Sequence, residues 1–248
     1  MDHIENCHAL ELEVTRFLSV MSSLSMDQDV ATCPGWTVFD LAEHMGVIHR
    51  WAEELVRLRS PVRIARELLA AERTAVSPKW ISDGGELLVA TLLAANPDDE
   101  MWAWGPDQHV RFWSRRQLHE TLVHRMDLEL AAQRDPRAED AIAIDAIDEY
   151  LTNIEKVAGH APDSSLLRGH GEKVAFRIRG IDSLWSITFG EDGFSVSSTE
   201  GRFDAELVGS PVDVLLVILR RRGIENGNVE LIGDRELIDF WLTHSSFD

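Results

Sequence analysis

The stretch GHAPDSSLLRGHG, residues 159–171, marks the point where the texture of this chain changes, and its reading decides the fold class. Ahead of it the chain reads as helix after helix, with helical periodicity over 3–24, 37–59, 62–75, 84–95, 114–133 and 139–157. Pro34-Gly35, Ser60-Pro61, Ser77-Pro78, Asn96-Pro97 and Asp135-Pro136 fall between these segments as breakers. Thr37 and Asp40 have the spacing of a capping box at the start of the second helix. Behind the stretch, VAFRIRG (174–180), LWSITFG (184–190) and FSVSS (194–198) read as antiparallel strands joined by turns at Gly180 and Gly193. AELVG (205–209) reads as a fourth strand, followed by a helix over 211–222, a strand near 229–232 and a last helix over 234–243. The expectation is an all-α domain over residues 1–158 and a small α+β domain over 159–248.

Composition narrows the function classes. The 248 residues are 44% hydrophobic and 27% charged, as in a globular protein with a proper core. With 24 Lys and Arg against 43 Asp and Glu, the net charge is −19, which argues against nucleic acid or an anionic membrane as partner. Two cysteines, Cys7 and Cys33, imply no disulfide framework. The first residues, MDHIENCHALELEV, lack a signal pattern, and the longest apolar run, VLLVIL at 214–219, is far too short for a membrane span. A cytoplasmic location is expected. No P-loop, Rossmann glycine pattern, serine-nucleophile elbow or zinc-finger spacing is present.

Two helices carry residues that call for chemistry. At about 100° per residue, the second helix gathers Leu41, Ile48, Trp51, Ala52 and Leu55 on one arc, and His44 falls inside it. His49 sits nearer the edge and is the easier of the two to leave solvated. His44 is then either a buried neutral imidazole bonded to a carbonyl or carboxylate, or a metal ligand. In HETLVHRMD (119–127), Glu120, His124 and Asp127 lie on a stripe away from the apolar face of Leu118, Leu122, Val123, Met126 and Leu130. That stripe reads either as a solvated i,i+4 pair or as two-thirds of a metal site. Trp113 and Ala131 at its ends are odd company for a solvated stripe, and one carboxylate with two imidazoles is a catalytic zinc set that leaves a position open. Trp102, Trp104 and Trp113 form an aromatic cluster that either packs the core or covers the site.

CPGWTVFDLAEHMGVIHRW (33–51) together with FWSRRQLHETLVHRMDLELA (112–131) resembles the mycothiol-dependent maleylpyruvate isomerase family, a branch of the DinB-like four-helix metalloproteins. The shared features are the Pro-Gly-Trp-Thr helix start, a histidine eight residues after the tryptophan, and the pattern R-R-x-x-H-E-x-x-x-H-R-x-D. LWSITFGEDGFSV, PVDVLLVILRRR and VELIGDRELIDFW are similar to the family's α+β C-terminal domain, which is sterol-carrier-like in shape. The resemblance implies a DinB-like four-helix bundle with metal ligands at His44, Glu120 and His124. It also implies a catalytic arginine that falls on Arg221, one position within the run Arg220-Arg221-Arg222, where it would read an anionic cofactor or substrate. Without a ligand, the same run reads as a basic last turn complementing the helix dipole. Asp127 lies beside the ligand line, where it would orient a ligand imidazole or help hold the cofactor. The implied cofactors are a divalent metal, zinc first, and mycothiol as thiol cosubstrate; the implied partner is an electrophilic small molecule. In an isomerase the added thiol leaves again; in an S-transferase it stays. The rivals are a DinB-like hydrolase using metal-activated water and a metal-binding scaffold without turnover. The substrate and the oligomeric state stay open.

Overall fold

The computed structural model describes residues 1–65, 76–157 and 163–245. These fall into two compact units, Met1–Arg137 and Ala138–Asp248.

The first unit is built on four helices: α1 (His3–Met21), α2 (Val38–Leu58), α3 (Pro78–Ala94) and α4 (Val110–Ala131). Helix α1 lies against α3 and α4, and α2 against the same two, which closes a four-helix bundle. Three of the four starts are capped by a side chain. Asp2 and Glu5 form a capping box on α1, and Thr37 and Asp40 form the expected one on α2. Ser77 caps α3 with Pro78 in its first turn, so the Ser77-Pro78 pair read as a breaker opens a helix instead, six residues before the expected start. Proline is tolerated there because the first-turn N–H has no intrahelical partner to lose. The core of this unit includes Phe17, Val38, Leu41, Met45, Ile81 and Leu128. Gly46 lets α2 approach α3, since a Cβ there would sit 1.8 Å from the Trp80 ring. The expected helix over 62–75 falls mostly outside the described residues, and residues 62–65 are not helical.

The second unit opens with α5 (Asp140–Val157) and continues through β1 (Lys173–Ile178), β2 (Leu184–Gly190), β3 (Gly193–Ser197), β4 (Ala205–Gly209), α6 (Pro211–Ile218), β5 (Glu230–Gly233) and α7 (Arg235–His244). The sheet runs β3-β2-β1-β4-β5, antiparallel except for the central β1–β4 pair. The register sets Phe176 opposite Trp185 and beside Leu207. Helix α5 packs on α6 and β3, burying Ile147, Leu151 and Ile154. The compact units divide ahead of α5, at 137, while the change of texture lies near 158: periodicity identifies a helix but not the partner that buries it. Helix α6 also ends four residues short of the expected 222, because Arg220 turns left-handed at φ 58 and the N–H groups of Arg221 and Arg222 both reach back to the Leu216 carbonyl.

With four bundled helices followed by an α+β unit, the fold class is the expected one. Among the described residues no helix is long and apolar enough to cross a membrane.

Candidate metal centre

His44 and the Glu120–His124 pair come from facing helices of the bundle. His44 stands two turns into α2, whose capping box fixes where the helix begins; Glu120 and His124 stand one turn apart on α4. His44 Nε2 donates to Glu120 Oε1 at 2.9 Å, and His124 Nε2 lies 3.5 Å from the same oxygen. One donor atom from each of the three lies within 4.8 Å of the others, a spacing suited to a metal ion. Their side chains are only 22%, 17% and 12% exposed, so Glu120 and His124 are not a solvated surface pair. The stripe escapes solvent because α4 is covered on more than its apolar face: Trp113 is fully buried and Ala131 packs on the core.

Around the three donors stand residues that fix them. Asp127, fully buried, accepts from His124 Nδ1 at 2.9 Å, which aims Nε2 at Glu120. The Arg116 guanidinium pairs with Glu120 Oε2 and lies over the Trp104 ring. Trp36 sets its indole against both imidazoles, 5.1 Å from His44 and 6.4 Å from His124 between ring centroids. It is placed there by a tight loop in which the Trp36 N–H bonds to the Cys33 carbonyl and Gly35 takes φ 81, a conformation that favours glycine. Cys33, in the same loop, donates its thiol to Asp127 Oδ2 at 3.4 Å. Arg116 and Trp36 stand inside the motifs and Cys33 just before Pro-Gly-Trp-Thr, but none of the three had a site role from the sequence, although the i,i+4 spacing of Arg116 and Glu120 was a readable signal.

The electrostatics fit a cation. Burial alone would raise the Glu120 carboxyl, but Arg116 and the bonds from His124 and His44 outweigh it and hold the group well below the usual carboxylate range. Burial alone would lower His124, yet Asp127, Cys33 and Glu120 hold it well above the ordinary imidazole value. The site thus gathers a positive charge between two carboxylates, and a divalent ion on the same donors would take over that role from the His124 proton.

The other expected residues fall as follows. His49, read as the easier histidine to solvate, is buried: it donates from Nε2 to Thr121 Oγ1 at 3.0 Å, and burial pushes its imidazole down to about 3. A helix packed on both flanks has no wet edge, which a single-face reading of periodicity does not register. Of the other histidines in the stretches 119–127 and 159–171, His119 is buried and His170 exposed, while His160 lies outside the described residues. Trp102 and Trp113 pack with Trp51 at 5.2–6.0 Å between ring centroids, the core-packing alternative. Arg221, in the second unit, donates to the Leu219 carbonyl at 3.0 Å, and Arg222 pairs with Asp213 at 3.2 Å.

A four-helix bundle with two histidines and a glutamate converging from facing helices defines a DinB-like helical domain. Residues 7–129 match the family model described as the mycothiol maleylpyruvate isomerase N-terminal domain. Among solved structures, the crystal structure of the mycothiol-dependent maleylpyruvate isomerase is similar at a TM-score of 0.60 and 13% identity, covering 93% of each chain. A histidine-to-alanine mutant of that isomerase is similar at a TM-score of 0.60 and 12% identity, again over 93% of each chain. No curated protein sequence matches the chain.

Proposed function

We propose that the protein is a metal-dependent enzyme that uses a low-molecular-weight thiol, mycothiol, to attack an electrophilic small molecule, as an isomerase or S-transferase. The observation that carries this reading is the convergence of His44 Nε2, Glu120 Oε1 and His124 Nε2 within a mostly buried cluster. The family-model match over residues 7–129 and the fold shared with a mycothiol-dependent isomerase support the thiol and the reaction class.

In this reading His44, Glu120 and His124 hold the ion, with zinc the first choice for two imidazoles and one carboxylate. When bound, the ion would supply the charge that favours the deprotonated, nucleophilic form of a thiol at neutral pH. The chain's own residues do the rest. Asp127 keeps the proton of His124 on Nδ1, leaving Nε2 as a donor. Arg116 occupies Oε2 of Glu120, leaving Oε1 for the ion. Trp36 shields the two rings from water on one side. Arg221 is assigned to an anionic group of the cofactor or substrate, which a guanidinium binds in bidentate fashion.

The test is metal analysis of the purified chain beside His44→Ala and His124→Ala, coupled to turnover with mycothiol present and absent. Wild type should carry divalent metal on the His44–Glu120–His124 set, and each variant should bind less of it and lose thiol-dependent turnover. Metal retained in full by both variants refutes the ligand assignment, and turnover that needs metal but no thiol refutes the thiol.

A further inference from the structure

His124 turns its second nitrogen towards another set of donors. Asp127 Oδ2 lies 2.9 Å from His124 Nδ1 and 3.4 Å from Cys33 Sγ. One donor atom from each of Cys33, His124 and Asp127 falls within 4.8 Å of the other two. We propose that Cys33, Asp127 and the Nδ1 edge of His124 form a second cation site, selective for thiophilic divalent ions and sharing its imidazole with the His44–Glu120–His124 set.

Donor chemistry separates the two sets. The first offers two imidazoles and a carboxylate whose second oxygen is held by Arg116. The second offers sulfur, nitrogen and oxygen; with the thiol proton displaced, a thiolate and a carboxylate balance a divalent charge. Thiolate sulfur favours zinc, cadmium and other soft ions over magnesium or calcium, which prefer oxygen. The spacing is also suitable. Around a tetrahedral ion with bonds of about 2.0–2.3 Å, neighbouring donors lie roughly 3.3–3.7 Å apart. The Sγ–Oδ2 separation of 3.4 Å is already in that range, and the 2.9 Å Nδ1–Oδ2 hydrogen bond needs to open by only a few tenths of an ångström. Loading releases two protons to solvent, one from Sγ and one from Nδ1.

The site is built before any ion arrives. Cys33 sits in a closed loop, its N–H bonded to the Val30 carbonyl and its carbonyl to the Trp36 N–H, both at 2.9 Å. Asp127 is fully buried on α4, and Cys33 is half-buried, leaving entry from the loop side. The proposal uses these donors alone and stands whether or not the thiol-dependent reading holds. Cys7, the other cysteine, is fully buried with its thiol pushed up to about 12, so a sulfur–metal signal at neutral pH reports Cys33.

The experiment titrates the metal-stripped, full-length chain with Cd²⁺, following sulfur-to-cadmium charge-transfer absorption and bound cadmium by equilibrium dialysis. Wild type should develop the band, and an excess of Mg²⁺ should leave it in place. His44→Ala, with the first set disabled, should keep the band and bind one equivalent. Cys33→Ser should bind cadmium without the band, with Cys33→Ala as the second variant should the serine chain misfold by circular dichroism. Absence of the band in wild type overturns the proposal, as does its survival in the Cys33 variants. Loss of the band in His44→Ala also overturns it, since the sulfur would then belong to the first set. Displacement by Mg²⁺ overturns the selectivity.

Discussion

At the scale of single residues, the candidate centre depends on how each imidazole is held. Asp127 fixes the ring of His124 through Nδ1, and removing its charge while keeping the shape tests that role. Asp127→Asn should weaken metal affinity about 10- to 100-fold with the fold intact, read by competition with a chromophoric chelator. His49 makes a different prediction. Folded, it stays neutral down to about 3, whereas in the unfolded chain it takes up a proton below about 6.5. Between those values the unfolded chain binds the extra proton, so this contribution to stability is fully present above 6.5 and is lost as pH falls through 3. Its slope is at most about 1.4 kcal/mol per pH unit. His49→Gln retains a donor for Thr121 without the titration, and denaturant melts between pH 7 and 4 should show a flatter profile for it than for wild type.

At the scale of elements, α2 matters because its first residue sets which turn faces α4. Thr37 Oγ1 accepts from the Asp40 N–H at 3.3 Å, and Asp40 Oδ2 accepts from the Thr37 N–H at 2.9 Å. Thr37→Ala breaks this exchange and should cost about 1 kcal/mol in chemical denaturation. Metal stoichiometry should not change, since His44 lies two turns further in and is held by Glu120. The start of α2 was legible from its capping pair, Thr37 and Asp40, whereas the Ser77 cap of α3 read as a breaker. The end of α6 was not legible, because backbone conformation sets it: the left-handed turn at Arg220 stops the helix inside a run of arginines that carries no glycine or proline.

At the scale of the molecule, the chain is two compact units, and α5 is counted in the second. A fragment ending at Arg137 retains all three candidate ligands and the bundle core, and should stay soluble and bind metal with the stoichiometry of the full chain. A fragment ending at residue 158 leaves Ile147, Leu151 and Ile154 of α5 without the α6 and β3 surfaces that bury them, and should aggregate more readily in light scattering. The sequence by itself determined the fold class, because helical and strand periods differ and each survives in a local window. It also placed His44, Glu120 and His124 as candidates, through motifs whose spacing follows helix geometry. Only the tertiary structure decided that Glu120 and His124 face inward, that His49 is buried, that Arg116, Trp36 and Cys33 surround the cluster, and where one unit ends. Each of those turns on which surfaces meet, and periodicity along one helix carries no information about what another helix brings to it.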